Sequence, residues 1–145
     1  MLGINIHAVK IRPAAAASVV LQLLAASTIP ALSAGDPAAG QRDFATRCAT
    51  CHATAPGENK IGPSLAGVFG GPSGSVAGFN YSAALKSAHL TWDNATLDKW
   101  LQNPSGLVHG TTMFVNLPGG NDRQDVIAYL KTLSTDRPTP PAAAQ

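Results

Sequence analysis

Apolar positions along this chain fall into stretches of different rhythm, and each rhythm predicts a different structure. The clearest helical pattern comes last. Val126, Ile127, Leu130 and Leu133 recur at the spacing of one helix face. Asn121 is expected to cap that helix, with Asp122 and Asp125 in its first turn and Lys131 near its C-terminal end, each charge where the helix dipole favours it. Leu97, Trp100 and Leu101 form a shorter i, i+3, i+4 set, opened by Asp93 or Thr91 and stopped by Asn103-Pro104. Ser82 predicts the cap of a short helix reaching Ala88. Asp36 followed by Pro37 reads as an N-cap and first helical position, opening a helix through Gly40 and Phe44 toward Cys48. Between Ala53 and Asn80, Gly, Pro and Ser break every period, which predicts loops. Neither an alternating strand pattern nor an internal repeat is visible, so the expected fold class is all-α. An irregular stretch that long argues against a compact core, unless it wraps something large.

The two ends follow other patterns. Lys10 and Arg12 precede an apolar run over residues 14–27 centred on Val19-Val20-Leu21, and Ala31-Leu32-Ser33-Ala34 then supplies small residues. That is the layout of a secretory signal peptide over residues 1–34, cleaved near Ala34. The run is shorter than the about 20 apolar residues a bilayer span requires, and Gln22 interrupts it. Residues 135–145, with Pro138, Pro140 and Pro141, read as a disordered Pro/Ala-rich tail, which leaves a domain over 35–134. Composition matters mainly through the leader. Its removal takes away Lys10 and Arg12, leaving eight basic residues against eight acidic ones. The mature chain is therefore near neutral, with no basic patch to suggest nucleic acid. Export predicts a periplasmic protein.

Candidate chemistry is concentrated in Cys48-Ala49-Thr50-Cys51-His52. Two cysteines three apart with a histidine directly after form the attachment signature of a c-type haem. In a helical turn the three side chains share one face, so both thiols can form thioethers while the imidazole reaches the iron. A zinc site needs four ligands, and beyond these residues only His7, His89 and His109 are on offer. A thioredoxin-like pair needs a βαβ setting that the chain lacks. A disulfide here would close almost no loop and stabilise little.

The second iron ligand is the open question for any such site. Met113 is the sole methionine beyond the leader and lies on a Gly-containing loop between two predicted helices. A methionine is ordinarily a core filler, but beside a haem it reads as the second ligand, with His109 as the rival. Histidine alone leaves iron open to small ligands, whereas His and Met together close it and favour the ferrous state.

Several further motifs accompany this run: Gly40 and Phe44; Gly62-Pro63-Ser64-Leu65; Gly78-Phe79-Asn80-Tyr81-Ser82; Trp92; Trp100 through Pro104; Gly110-Thr111-Thr112-Met113; and Arg123 through Leu130. With them, the stretch from about Pro37 to Leu133 resembles the class I cytochromes c, close to the mitochondrial and bacterial c2 type. The resemblance implies helices and loops wrapped around one covalent haem c and a role carrying single electrons, with no enzymatic turnover. It implies that His52 and Met113 ligate the iron and that the Pro63 carbonyl orients His52. It also implies that Tyr81 and Trp92 donate to a buried propionate and that Trp100 and Thr111 lie against the cofactor. Gly40 and Phe44 would let the first helix cross the last, against Val126 and Tyr129.

Departures from the family pattern include Gly71 for a propionate-facing arginine, Leu85 for a buried asparagine, and Trp100 for a tyrosine that donates toward the methionine sulfur. His109 replaces a proline and Thr112 a lysine. Expected partners are redox proteins, such as membrane cytochrome complexes, a terminal oxidase, or a periplasmic dehydrogenase or reductase. The protein itself is expected to be a monomer. Other uses of the same site would be as the haem subunit of a dehydrogenase, or as a ligand sensor or peroxidase-like protein in which Met113 is displaceable.

Overall fold

Asp36 opens the first helix. Its carboxylate accepts the Ala38 amide at 2.8 Å, and Pro37 supplies the fixed φ that a first helical turn tolerates. The computed structural model describes residues 34–134, so the signal-peptide and tail expectations lie outside the described residues. Five helices order them: α1 Pro37–Arg47, α2 Ala83–Lys86, α3 Asn94–Gln102, α4 Pro104–Leu107 and α5 Gly120–Thr132. Among the described residues the only β-pairing is an isolated antiparallel bridge between Pro72 and Thr91. The fold is all-α, as the periodicity predicts.

α1 and α5 cross at Gly40. A Cβ there would overlap the Asp125 carbonyl, so glycine is required for the two backbones to touch. Phe44 packs tilted against Tyr129, with ring centroids 5.5 Å apart, and Val126, Ile127 and Leu130 are buried beside them.

The start of α5 differs from expectation. Gly119 is its N-cap and Asn121 lies inside the first turn, because Gly119 already has the extended backbone a cap needs and its carbonyl accepts the Arg123 amide. Asp125 sits beyond that first turn and serves α1 instead, accepting the Asp36 amide at 2.7 Å. Lys131 lies over the Phe69 ring, 5.2 Å from its centroid.

Asp93, rather than Thr91, caps α3, accepting the Thr96 amide at 2.8 Å. Asn103-Pro104 ends α3 as expected, yet it also starts α4: the Asn103 side chain accepts the Gly106 amide at 3.0 Å. The residues that stop one helix thus have the cap-then-proline order that opens another. Ser82 caps α2, which ends at Lys86, short of Ala88. The stretch from Ala53 to Asn80 is free of helix. Buried Ser64 stitches it together, donating to the Ala55 carbonyl at 2.7 Å and through its amide to Asn59 at 3.0 Å.

Candidate cofactor site

Beyond Arg47 the chain makes one more helix-like turn. The amides of Cys51 and His52 both donate to the Cys48 carbonyl, at 3.0 and 2.9 Å. This turn delivers Cys48, Cys51 and His52 to the wall of a cavity enclosing about 1330 Å³, its open mouth included. The remaining wall is mostly apolar, with Leu65, Leu85, Leu97, Leu101 and Leu130 among its residues. All nine residues singled out in the sequence, Cys48, Cys51, His52, Pro63, Tyr81, Trp92, Trp100, Thr111 and Met113, line it. His109 is exposed and stands outside that wall.

His52 is held from behind. Its Nδ1 lies 2.7 Å from the Pro63 carbonyl, which can only accept, so Nδ1 carries the hydrogen and Nε2 keeps its lone pair. Burial lowers the His52 pKa, against the raising effect of the Pro63 bond and with a smaller lowering from Lys60. The ring is therefore neutral at neutral pH. Gly62 is part of this arrangement, since a Cβ there would overlap the imidazole. Lys60 turns its ammonium to the Ala49 carbonyl at 2.9 Å, bracing the attachment turn.

Cys48 and Cys51 are both free thiols. Burial pushes the Cys48 pKa up to about 11, outweighing the lowering effect of Arg47, while Asp43 and Cys51 add to the rise. A folded chain thus offers no Cys48 thiolate at neutral pH.

The Met113 sulfur accepts a hydrogen bond from Trp100 Nε1 at 3.2 Å, and its amide reaches Thr111 Oγ1 at 3.4 Å. Trp100 is itself buried, 5.2 Å from the Trp92 ring. Tyr81 Oη accepts the Val76 amide at 3.3 Å, which leaves its own hydrogen to donate. Burial raises the Tyr81 pKa over the lowering effect of Val76, so the hydroxyl stays protonated. Apart from His52, Arg47 is the only ionisable side chain other than the thiols and Tyr81 on the wall, and it faces Asp122 at 3.5 Å. Gly71 brings no charge, and its carbonyl accepts the Trp92 amide at 2.9 Å.

This donor set fits a covalently tethered porphyrin: two thiols, an oriented imidazole, a thioether, apolar walls and hydroxyl donors. Among the described residues no group of three or more His, Cys, Asp or Glu could hold a bare metal ion. Sequence reasoning missed the bond network of Ser64 and a buried cluster around Arg123. The second had a signal, because Arg123 precedes Val126 and Ile127 by three and four residues and so falls on the buried face of α5.

The cytochrome c family model matches residues 37–134. The chain is 49% identical to cytochrome c2 of Rhodomicrobium vannielii over 104 residues, covering 70% of this chain and 82% of that protein. It is 46% identical to cytochrome c2 of Rhodoblastus acidophilus over 105 residues, covering 71% and 97%. The solved structure of cytochrome cH from Methylobacterium extorquens superposes with a TM-score of 0.63 at 44% identity, covering 68% of this chain and 99% of that one. A cavity walled by a Cys-x-x-Cys-His turn, matched over the whole ordered domain by relatives of this similarity, places the chain in the cytochrome c family, monohaem electron carriers rather than enzymes, with Cys48 and Cys51 as the attachment pair for one haem c.

Proposed function

We propose that this electron carrier is periplasmic, that His52 and Met113 ligate its iron in a low-spin state, and that it shuttles single electrons between redox proteins. One observation carries the reading. The sole methionine of the described residues lines the same cavity as His52, and its sulfur is held by Trp100 at 3.2 Å. Bound haem supplies a reversible ferric–ferrous couple. The residues of the chain do the rest. Cys48 and Cys51 tether the group, and Pro63 fixes the direction and donor strength of His52. Two protein ligands that stay in place in both oxidation states keep the reorganisation on electron transfer small. Tyr81 and Trp92, both on the cavity wall, would donate to the propionates, and the leucine-rich wall would shield the bound group from water. The signal-peptide layout of residues 1–34 supports export, and no helix among the described residues is long and apolar enough to cross a membrane.

Membrane cytochrome complexes, a terminal oxidase, or a periplasmic dehydrogenase or reductase would be the partners. Ile61 and Phe114, the exposed large hydrophobics of the described residues, both line the cavity and so lie near the surface where a partner would approach. With eight basic and eight acidic residues beyond the leader, transfer rates should fall only mildly with added salt. The ferric absorption spectrum tests the ligand set. A weak far-red band from sulfur on iron is expected, together with almost no carbon monoxide binding by the ferrous protein. Rapid carbon monoxide uptake near neutral pH would reject closed His/Met ligation.

A further inference from the structure

Arg123 and Ser64 are the buried polar side chains of the described residues, and only Arg123 carries a charge. Its Nε donates to Asp98 Oδ1 on α3 at 2.8 Å. Its Nη1 donates to two carbonyls at once, Leu117 at 3.0 Å and Pro118 at 2.8 Å. Gln124 adds a second donor to the same Asp98 oxygen at 3.1 Å. Burying a guanidinium is costly unless its donors are matched, and here they are matched by one carboxylate and two backbone acceptors.

Those acceptors belong to the return of the Met113 loop. Leu117 is almost fully buried, and its amide donates to the Leu101 carbonyl at 2.7 Å, in the last turn of α3 where helix carbonyls lack an internal partner. One stretch of α3 therefore holds the loop three ways: Trp100 at the sulfur, Leu101 at the Leu117 amide, and Asp98 through Arg123 at the Leu117 and Pro118 carbonyls. Leu117 is four positions beyond Met113, so even fully extended chain allows at most about 14 Å between their Cα atoms. Fixing Leu117 limits where the sulfur can go.

We propose that Arg123 is a positioning residue for Met113: by clamping the Leu117 and Pro118 carbonyls against Asp98 it keeps the thioether at its station beside Trp100. This rests on Met113 being the second iron ligand. Arg123 does not line the cavity, and its side-chain hydrogen bonds go to Asp98, Leu117 and Pro118, so its reach to Met113 runs through the loop. A residue that merely stabilised the start of α5 would alter the denaturation midpoint and nothing at the iron.

The test uses the ferric holoprotein with Arg123→Lys, which keeps the charge but loses the fork, and Asp98→Asn, a milder change at a partly exposed site that keeps the question open if the first variant folds poorly. Tyr129→Leu, at the α1 contact of α5, is the stability control. Cyanide binding, which must displace the second ligand, and hydrogen exchange of the Leu117 amide are measured for each. Both clamp variants should accelerate cyanide binding and Leu117 exchange by about tenfold or more. Tyr129→Leu should lower the denaturation midpoint while leaving both rates within about twofold of wild type. Clamp variants that lose stability but keep both rates at wild-type values would overturn the proposal. Failure of the ligand assignment is distinguishable, because it appears as a missing far-red band in the wild type, while Leu117 exchange still judges the clamp.

Discussion

The crossing of α1 and α5 and the loop that carries Met113 both border the cavity, and they are held in different ways. At the crossing, backbone meets backbone across Gly40, Phe44 packs on Tyr129, and Asp125 ties down the amide of Asp36, the cap of α1. Each helix also satisfies its own hydrogen bonds. Beyond α4 the chain has no helix until α5 begins, and only local turns such as the Thr111 amide to the Val108 carbonyl at 3.1 Å support it from within. The loop is fixed by separate bonds from α3: Trp100 to sulfur, Leu101 to the Leu117 amide, and Asp98 through Arg123. Many small contacts share the strain in the first region. In the second, a few discrete bonds share the task, and losing one removes a large part of what holds the segment. The crossing should therefore set stability, and the loop should set the behaviour of the iron.

The largest effect should come from Cys48→Ala with Cys51→Ala, which removes the tether. Without the group that fills it, the apolar wall of the cavity is left open to water, a loss that is a large share of the about 5–15 kcal/mol that stabilises an ordinary domain. Circular dichroism should show loss of most helix and of a cooperative transition; a variant that melts cooperatively near the wild-type temperature would remove the distinction between the regions. Next comes Gly40→Val. Its side chain cannot fit against the Asp125 carbonyl, and overpacking of this kind costs about 1–3 kcal/mol or more. The urea midpoint should fall while the far-red band persists in the folded protein.

Trp100→Phe reverses that pattern. It removes the donor to Met113 sulfur, a loss of about 1 kcal/mol, with little change at the crossing. With Met113 on the iron as proposed, loss of that bond would let the sulfur donate more strongly to the ferric state, so potentiometry should find a reduction potential lower by up to roughly 40 mV. An unchanged potential would mean that the bond does not reach the iron.

The smallest effect is at Asp93, the cap of α3. The Thr96 amide, with help from its hydroxyl, holds the Asp93 carboxyl below its ordinary value, so the folded chain takes up this proton at lower pH than the unfolded chain does. The contribution is complete above the ordinary value and is lost as pH falls through the lowered one. Thermal melts from about pH 6 to about pH 2 should show this acid loss, and Asp93→Asn, which keeps the cap, should remove that part of it.

Legibility followed the same divide. Cys48, Cys51 and His52 could be read directly because their chemistry requires adjacent residues at fixed spacing. The α1 start, the Asp93 and Ser82 caps and the apolar face of α5 could be read because each is a local pattern. α4 was hidden behind its own proline, and the cap expected at Asn121 lost to Gly119, whose backbone already met the requirement. Gly62 was visible as a letter, but its reason is the His52 ring packed against it.

Sequence alone determined the haem-attachment signature and the all-α class, because spacing and period act over a few residues and survive any packing, and the resemblance carried by its motifs implied the family of electron carriers. Tertiary structure alone decided that Asp98, Leu101, Leu117 and Arg123 meet, and that Trp100 reaches the Met113 sulfur. Those contacts join residues far apart along the chain, and only the folding of α3 against α5 and the intervening loop brings their donors and acceptors within bonding distance.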